Sequence, residues 1–164
     1  MKKNNYLSLG VMSGTSNDGI DISLIQSDGK NKLKILGSMY NKYNNKLTKD
    51  LNDLTGSIKN QRINSARIID LQDRVTISYI HAIKKFINSI NTKIDLISLH
   101  GQTIFHDSAK KISIQLCNAN LIKAQFNCKI IYDFRQNDLK NGGEGAPLVP
   151  IFHNLINKHL SLNG

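Results

Sequence analysis

The stretch GVMSGTSNDGID, residues 10–21, decides how the rest of this chain is arranged. An apolar run at residues 7–12 predicts a buried strand, and alternating apolar residues at 20–25 predict a second strand beside it. The Asp18-Gly19 pair between them is a strong hairpin-turn signal. We therefore expect a β-hairpin whose turn consists of small and polar residues.

The predicted turn carries the chemical groups that bind a phosphate. Gly14 and Gly19 can take positive φ and let a ligand approach the backbone, and successive backbone N–H groups in such a turn converge on an anion. Asp18 and Asp21 are candidate Mg²⁺ ligands, directly or through water. The hydroxyl donors are Ser13, Thr15 and Ser16. An ordinary hairpin with a polar turn fits the same residues, and this stretch alone leaves both interpretations open.

Length and charge limit the class of protein. The chain has 164 residues, enough for one domain with its own core. Its formal net charge is +10, but the lysines are scattered, arginine is scarce and no aromatic residues alternate with a basic run. The composition favours solvated surface lysines, so we expect no nucleic-acid partner.

No apolar run reaches about 18 residues and no signal-peptide core precedes Ser13, so we expect a cytoplasmic protein without a membrane span.

The cysteines and histidines show no metal-binding pattern. Cys117 and Cys128 are too far apart for a C-x-x-C motif and are expected to be free thiols in a reducing compartment. The five histidines lack zinc-ligand spacing with cysteines or carboxylates, so we expect no zinc site.

The first half of the chain predicts a meander followed by helices. A turn at residues 27–31 and a strand at 33–40 extend the hairpin to three antiparallel strands. Residues 47–54 predict a short helix that ends at Gly56. From about residue 64 to residue 90, apolar side chains recur at steps of three and four, which predicts one long amphipathic helix lying on the sheet.

The second half predicts alternating strands and helices. Residues 94–99 predict a buried strand that ends at His100 and runs parallel to its neighbour, because a long helix precedes it. The other predicted elements are a small hairpin at 104–106 and 112–116, a short helix at 118–126, a strand at 129–132 and a last helix at 151–160, entered through Pro150. This order predicts an α/β domain with a mixed sheet.

Polar clusters follow two of these predicted strands, where α/β sheets bind their ligands. His100, Gln102 and Thr103 offer donors and acceptors suited to sugar hydroxyls, and Arg135 suits a carboxylate or phosphate. A core-bonded histidine and a local ion pair fit the same residues. The Gly-rich loop at residues 139–150 allows a tight turn and a close backbone approach, for either a functional or a structural reason.

Four motifs together closely resemble the 1,6-anhydro-N-acetylmuramic acid kinase family. In chain order they are MSGTSNDGID (12–21), HGQTIFH (100–106), DFRQNDLKNGG (133–143) and GGEGAPLVP (142–150). The resemblance implies a ribonuclease-H-like domain of the actin, hexokinase and sugar-kinase superfamily. It also implies hydrolytic opening of the anhydro ring and phosphorylation of the 6-oxygen with ATP and Mg²⁺, in peptidoglycan recycling.

The resemblance also assigns expected roles to residues. The ATP phosphate loop would comprise Gly14, Thr15, Ser16, Asn17, Asp18, Gly19, Ile20 and Asp21. Asp18 and Asp21 would hold Mg²⁺, possibly through water. The pocket for the amino sugar would be lined by His100, Gln102, Thr103 and Arg135. Two sites depart from the family pattern. Asn17 stands where leucine is common, and Gln115-Leu116-Cys117 stands where Gln-Ile-Gly is usual.

Length is the larger departure from the family. Its members are roughly twice as long, and their second half carries the remainder of the nucleotide site and an Asp-x-Gly-Pro-Gly motif with the general base. We therefore expect residues 1–164 to be the N-terminal domain, inactive alone, with a separately encoded second half as a potential partner; a non-catalytic sugar- or partner-binding remnant is the alternative. Such a half should expose apolar side chains beside the cleft, with Leu148, Val149, Ile151, Phe152 and Leu155 as candidates. The oligomeric state is left open.

Overall fold

Three antiparallel strands open the fold of the computed structural model, which describes residues 5–59 and 65–161. Strands β1 (Tyr6–Ser13) and β2 (Gly19–Ser27) form the predicted hairpin, and β3 (Leu33–Lys42) pairs antiparallel with β2. The predicted meander is confirmed. Its connection between β1 and β2 is the small, polar turn described above.

Helix α1 (Asn45–Lys59) corrects the sequence prediction, because it continues through Gly56 instead of ending there. Leu47, Leu51, Leu54 and Ile58 recur at helical spacing and are all buried. Burial of four such side chains outweighs the penalty of about 1 kcal/mol for a glycine inside a helix.

Helix α2 (Ser65–Ile90) is the predicted long amphipathic helix. Its buried residues lie on one stripe, as expected: Leu71, Val75, Thr76, Tyr79, Ile80, Ala82, Ile83 and Phe86. This stripe joins the inward-facing residues of β1 and β2 in a single core.

Strand β4 (Leu96–Asp107) is longer than predicted, since it does not end at His100. It pairs in parallel with β1, and its second half pairs antiparallel with β5 (Ile112–Leu116), which confirms the predicted small hairpin. Leu99 pairs with Val11 and Gly101 pairs with Met12, so His100 is an extra residue at a β-bulge. Gly101 has φ +81°, a conformation in which glycine is favoured. The His-Gly-Gln-Thr cluster therefore lies inside a strand, not beyond the end of one.

Shorter elements complete the domain. Helix α3 (Ala119–Lys123) is shorter than the predicted 118–126 segment; Asn118 caps its N-terminus, and the chain then turns toward β6 (Lys129–Tyr132). Strand β6 pairs in parallel with β4, and the sheet order is β3-β2-β1-β4-β5 with β6 beside β4. Helices α4 (Phe134–Lys140) and α5 (Pro150–Ser161) follow, and α5 confirms the predicted last helix.

The architecture is a mixed sheet with initial antiparallel strands and packed helices, as predicted. None of the helices in the described ranges is both long and apolar enough to span a bilayer. Apolar side chains are exposed where the chain enters α5, at Leu148, Val149 and Phe152, which we call the α5 patch. Leu155 is partly buried beside it, and the side chain of Ile151 lies outside the described residues.

Candidate functional site

The turn between β1 and β2 is a tight loop with an exposed outer side. The Asn17 N–H donates to the Gly14 carbonyl at 3.3 Å, and Asn17 has φ +57°, which asparagine tolerates better than most residues. Asn17 itself is 2% exposed, whereas Thr15 and Ser16 face solvent. Among the described residues, the N–H groups of Thr15 and Ser16 have no hydrogen-bond partner. These two amides are therefore free to bind a ligand.

Not every predicted member of this loop is accessible. Ser13 is fully buried, and its Oγ lies 2.8 Å from the hydroxyls of both Tyr43 and Tyr79. Burial raises the pKa of both tyrosines, so these hydroxyls stay protonated. Ser13 therefore secures the end of β1 to the helical layer instead of facing a ligand. Ile20 is buried in the core and presents only its backbone to the loop.

Asp18 is the carboxylate most closely tied to the loop. It accepts a hydrogen bond from Ser16 Oγ at 2.5 Å, and this bond lowers the pKa of Asp18, so the carboxylate is charged at neutral pH. Tyr40 on β3 lies beside it, and partial burial together with the charges of Asp18 and Asp21 raises the pKa of Tyr40. The charges of both carboxylates thus act on the same tyrosine.

Gly19 is required by the same packing. A Cβ atom at this position would lie 2.6 Å from the Tyr40 ring and 2.7 Å from the Asn41 carbonyl oxygen. Because the second of these atoms belongs to the backbone, a side chain here would displace β3. Glycine therefore lets β3 approach close enough to place Tyr40 over the loop.

The two carboxylates fit Mg²⁺ when a phosphate completes its ligand set. Within the described residues, no three His, Cys, Asp or Glu side chains cluster as a metal site. Mg²⁺ commonly takes only one or two protein carboxylates and fills its shell with water and phosphate oxygens. Asp18 and Asp21 supply two such carboxylates, both of them exposed and both acting on the pKa of Tyr40.

Gln102 lies beneath the loop and not in an open pocket. It is 0% exposed, and its Nε2 donates to the Gly14 carbonyl at 2.7 Å and to Asn17 Oδ1 at 2.8 Å. Asn17 Nδ2 in turn donates to Asn52 Oδ1 on α1 at 2.9 Å. Thr103 is also buried, at 5% exposure, and its hydroxyl accepts a bond from Gln115 at 3.5 Å.

His100 and Arg135 form a pair that connects β4 to the Gly-rich loop. Arg135 donates from Nε to His100 Nε2 at 2.9 Å and from Nη1 to the Gly145 carbonyl at 3.2 Å. His100 Nδ1 lies 2.9 Å from the Gly101 carbonyl. Because Nε2 accepts and Nδ1 donates, the imidazole is neutral. Burial, the largest cause, and the charge of Arg135 lower the pKa of His100, which agrees with that state.

The Gly-rich loop is fixed by polar contacts from both sides. Asp138 accepts from the Gly145 N–H at 2.7 Å, and Lys111 Nζ donates to the carbonyls of Gly142 and Gly143 at 3.3 and 2.8 Å. A Cβ atom on Gly143 would lie 2.2 Å from the Asp138 carboxylate. The loop is therefore an ordered structure that follows α4 and sits beside Arg135.

An open groove runs along the sheet from this region to the end of β1 that leads into the β1–β2 turn. One cavity, of about 510 Å³, is lined by Met12, Asp21, Tyr40, His100 and Phe134, among others. A second, of about 490 Å³, shares His100 and Phe134 and continues along α4. The groove combines aromatic side chains with polar groups, a mixture typical of small-molecule sites.

The structure therefore separates the predicted sugar-pocket residues. His100 lines the groove, and Arg135 supports it from behind. Gln102 and Thr103 are buried on the other side of the bulge. Sequence reasoning missed Tyr40 and Asn52, because both reach the loop from other elements and neither belongs to a recognisable motif.

The mixed sheet with its packed helices is consistent with a ribonuclease-H-like domain of the sugar-kinase class. The family model for anhydro-N-acetylmuramic acid kinase matches residues 6–162. The chain belongs to the anhydro-N-acetylmuramic acid kinase family.

Individual relatives agree with this assignment. The chain is 41% identical over 154 residues to the anhydro-N-acetylmuramic acid kinase of Pelagibacter ubique. The aligned region covers 92% of this chain and 41% of that protein. It is 32% identical over 163 residues to the kinase of Rhodopseudomonas palustris strain HaA2, with 95% and 44% covered. The chain thus spans less than half the length of the relatives it matches.

Proposed function

We propose that this chain is the N-terminal half of an ATP-dependent anhydro-N-acetylmuramate kinase and binds the nucleotide phosphates at residues 14–21. The loop supports the proposal, because two free backbone amides, two hydroxyls and a charged carboxylate lie together on its exposed side. Phosphates favour such clusters of outward N–H groups. The single observation that carries the proposal is the pair of unpartnered amides at Thr15 and Ser16 in a chain of this family.

Asp18 and Asp21 are the proposed contacts for Mg²⁺, directly or through water. When bound, Mg²⁺ neutralises charge on the phosphates during transfer. The chain's own part is to hold Asp18 charged and oriented, which the Ser16 hydroxyl does at 2.5 Å.

The amino sugar is proposed to occupy the groove beside the loop. His100 and Phe134 line both halves of this groove, and Tyr40 lines the half nearest the loop. The neutral His100 orients Arg135, while Gln102 and Thr103 shape the strand beneath. In this arrangement His100 contacts the sugar. Arg135, Gln102 and Thr103 do not contact it and instead hold His100 and its strand in position.

This chain is proposed to bind its ligands weakly and not to turn over alone. Opening the anhydro ring with water while the 6-oxygen is phosphorylated needs a positioned general base. The Asp-x-Gly-Pro-Gly motif that the family resemblance associates with that base does not occur in residues 1–164. A second half would supply the base and cover the α5 patch. The location proposed for both halves is the cytoplasm, where ATP is available.

A reconstitution assay tests the proposal. The chain is mixed with ATP, Mg²⁺ and anhydro-N-acetylmuramate, with and without the segment of the Pelagibacter ubique relative that follows the matched region. We expect no product from either piece alone and sugar phosphate from the mixture. Sugar binding without nucleotide binding, and without product in the mixture, supports the alternative, a non-catalytic sugar- or partner-binding domain. Sustained turnover by the chain alone contradicts the proposal of an inactive half.

A further inference from the structure

The buried side-chain amide of Gln102 donates hydrogen bonds to the β1–β2 loop from the core side, and its own oxygen is left unpaired among the described residues. Gln102 is fully buried, and its Nε2 reaches three acceptors: the Gly14 carbonyl, Asn17 Oδ1 and, at 3.3 Å, the Thr103 carbonyl. Its Oε1 has no hydrogen-bond partner within the residues that the structure describes. Leaving a buried acceptor unpaired is unfavourable, and the hydrogen bonds from Nε2 to the loop offset that cost.

The polarity of the amide chain is set by one backbone carbonyl. The Gly14 oxygen can only accept, so the Gln102 atom facing it must be the nitrogen. Gln102 Nε2 then fixes the facing atom of Asn17 as Oδ1, and Asn17 Nδ2 fixes the facing atom of Asn52 as Oδ1. Each amide donates to the next, from Gln102 on β4 through Asn17 in the loop to Asn52 on α1.

The bond to Gly14 determines where the next amide points. A trans peptide is planar, and its C=O and N–H groups point in opposite directions. Because the Gly14 oxygen points inward to Gln102, the Thr15 N–H points outward to the exposed side of the loop. Without the bond from Gln102, the Gly14–Thr15 peptide keeps only the longer contact from the Asn17 N–H at 3.3 Å.

We infer that Gln102 is a positioning residue of the phosphate site, which holds the Gly14–Thr15 peptide so that the Thr15 N–H faces an incoming phosphate. The inference rests on the proposed nucleotide function for its ligand, but its geometric part concerns the free chain. Gln102 does not touch the ligand in this account; it acts through the peptide above it.

The test combines two NMR readouts on the full chain, in Gln102→Met and in a matched Thr76→Val control. Thr76 is equally buried, and its hydroxyl donates to the Gln72 carbonyl at 2.6 Å and accepts from the Asn118 N–H at 2.9 Å, away from the loop. Without ligand, the Gly14 carbonyl ¹³C shift should move in Gln102→Met and stay as in wild type in Thr76→Val. On titration with ATP and Mg²⁺, Gln102→Met should bind about tenfold more weakly, as expected for loss of one well-placed donor.

The outcomes separate the two claims. If wild-type chain does not bind ATP, the proposed function fails, while the carbonyl shift still decides the role of Gln102. An unchanged Gly14 shift in folded Gln102→Met overturns the inference, and so does unchanged ATP affinity in a chain that binds ATP. If Gln102→Met does not fold, a measurement on the wild-type chain still tests the inference. The Gln102 side-chain amide protons should exchange with solvent far more slowly than those of exposed Gln125, and equal exchange overturns the inference.

Discussion

Arg135 donates from Nε to His100 Nε2 at 2.9 Å, so the guanidinium and the imidazole form one unit at the bulge of β4. With Nε occupied and Nη1 on the Gly145 carbonyl, Arg135 cannot clamp a ligand through its Nε side. The pair therefore secures the Gly-rich loop to the sheet, and His100 is the member that faces the groove.

Replacing Arg135 with lysine should release the Gly-rich loop. A lysine ammonium is a single point on a flexible stem and cannot bond His100 and Gly145 together as the planar guanidinium does. We expect Arg135→Lys to speed hydrogen exchange at residues 142–145 and to lower stability by about 1 kcal/mol. Arg74→Lys, on the solvent side of α2 beside Asp50 and Asp70, is the matched control and should leave that exchange unchanged. Equal exchange in the two variants would show that Arg135 does not hold the loop.

His100 should make the folded chain less stable as the pH falls. Its folded-state pKa is lowered from 6.5, so the unfolded chain binds the proton more readily. The stabilisation is fully present above the unfolded pKa and is lost as pH falls through the folded pKa. Melting temperature measured from pH 7.5 downward, in wild type and His100→Asn, checks this: the fall below about pH 6.5 should be shallower in the variant. His81→Asn, at an exposed position on α2, should follow wild type. Parallel curves for His100→Asn and wild type would contradict the assignment.

Two glycine substitutions should shift stability in opposite directions. Gly19→Ala places a Cβ against Tyr40 and the Asn41 carbonyl, so we expect a loss of about 1–3 kcal/mol in the free energy of unfolding. Gly56→Ala meets no atom within 4 Å and lies inside α1, so we expect a gain of about 0.5–1 kcal/mol. Chemical denaturation measures both. A tolerated Gly19→Ala would mean that β3 does not press on the loop as described.

Local patterns predicted the fold better than the site. The meander, the long helix α2 and the parallel strand β4 follow from side-chain periodicity, which reports burial directly. The extent of β4 beyond His100 depends on pairing with β1 and β5, and such long-range pairing leaves no local signal. The role of Gln102 could not be predicted from the sequence either, because its partners Gly14 and Asn17 are about 85 positions away. Glycine-rich motifs located the loop, but the side chains that hold it come from three elements.

The charge of Asp18 should decide whether Mg²⁺ contributes to nucleotide binding. Ser16 keeps the pKa of this carboxyl low, so its charge is available at neutral pH. In Asp18→Asn the gain in ATP affinity on adding Mg²⁺ should disappear. Asp28→Asn is the matched control, since Asp28 also accepts turn hydrogen bonds but lies in the β2–β3 turn, away from the loop. Equal Mg²⁺ dependence in the two variants would place the metal elsewhere.

The most direct test of the account is to map where ATP and Mg²⁺ bind by following the backbone amide resonances of the wild-type chain. We predict that the largest shifts fall at Thr15 and Ser16, with smaller ones at Asp18 and Gly19, and that they are smaller in Asp18→Asn at the same concentrations. Saturable shifts confined to other parts of the chain, or none at any concentration, would contradict the claim that this loop binds the nucleotide phosphates.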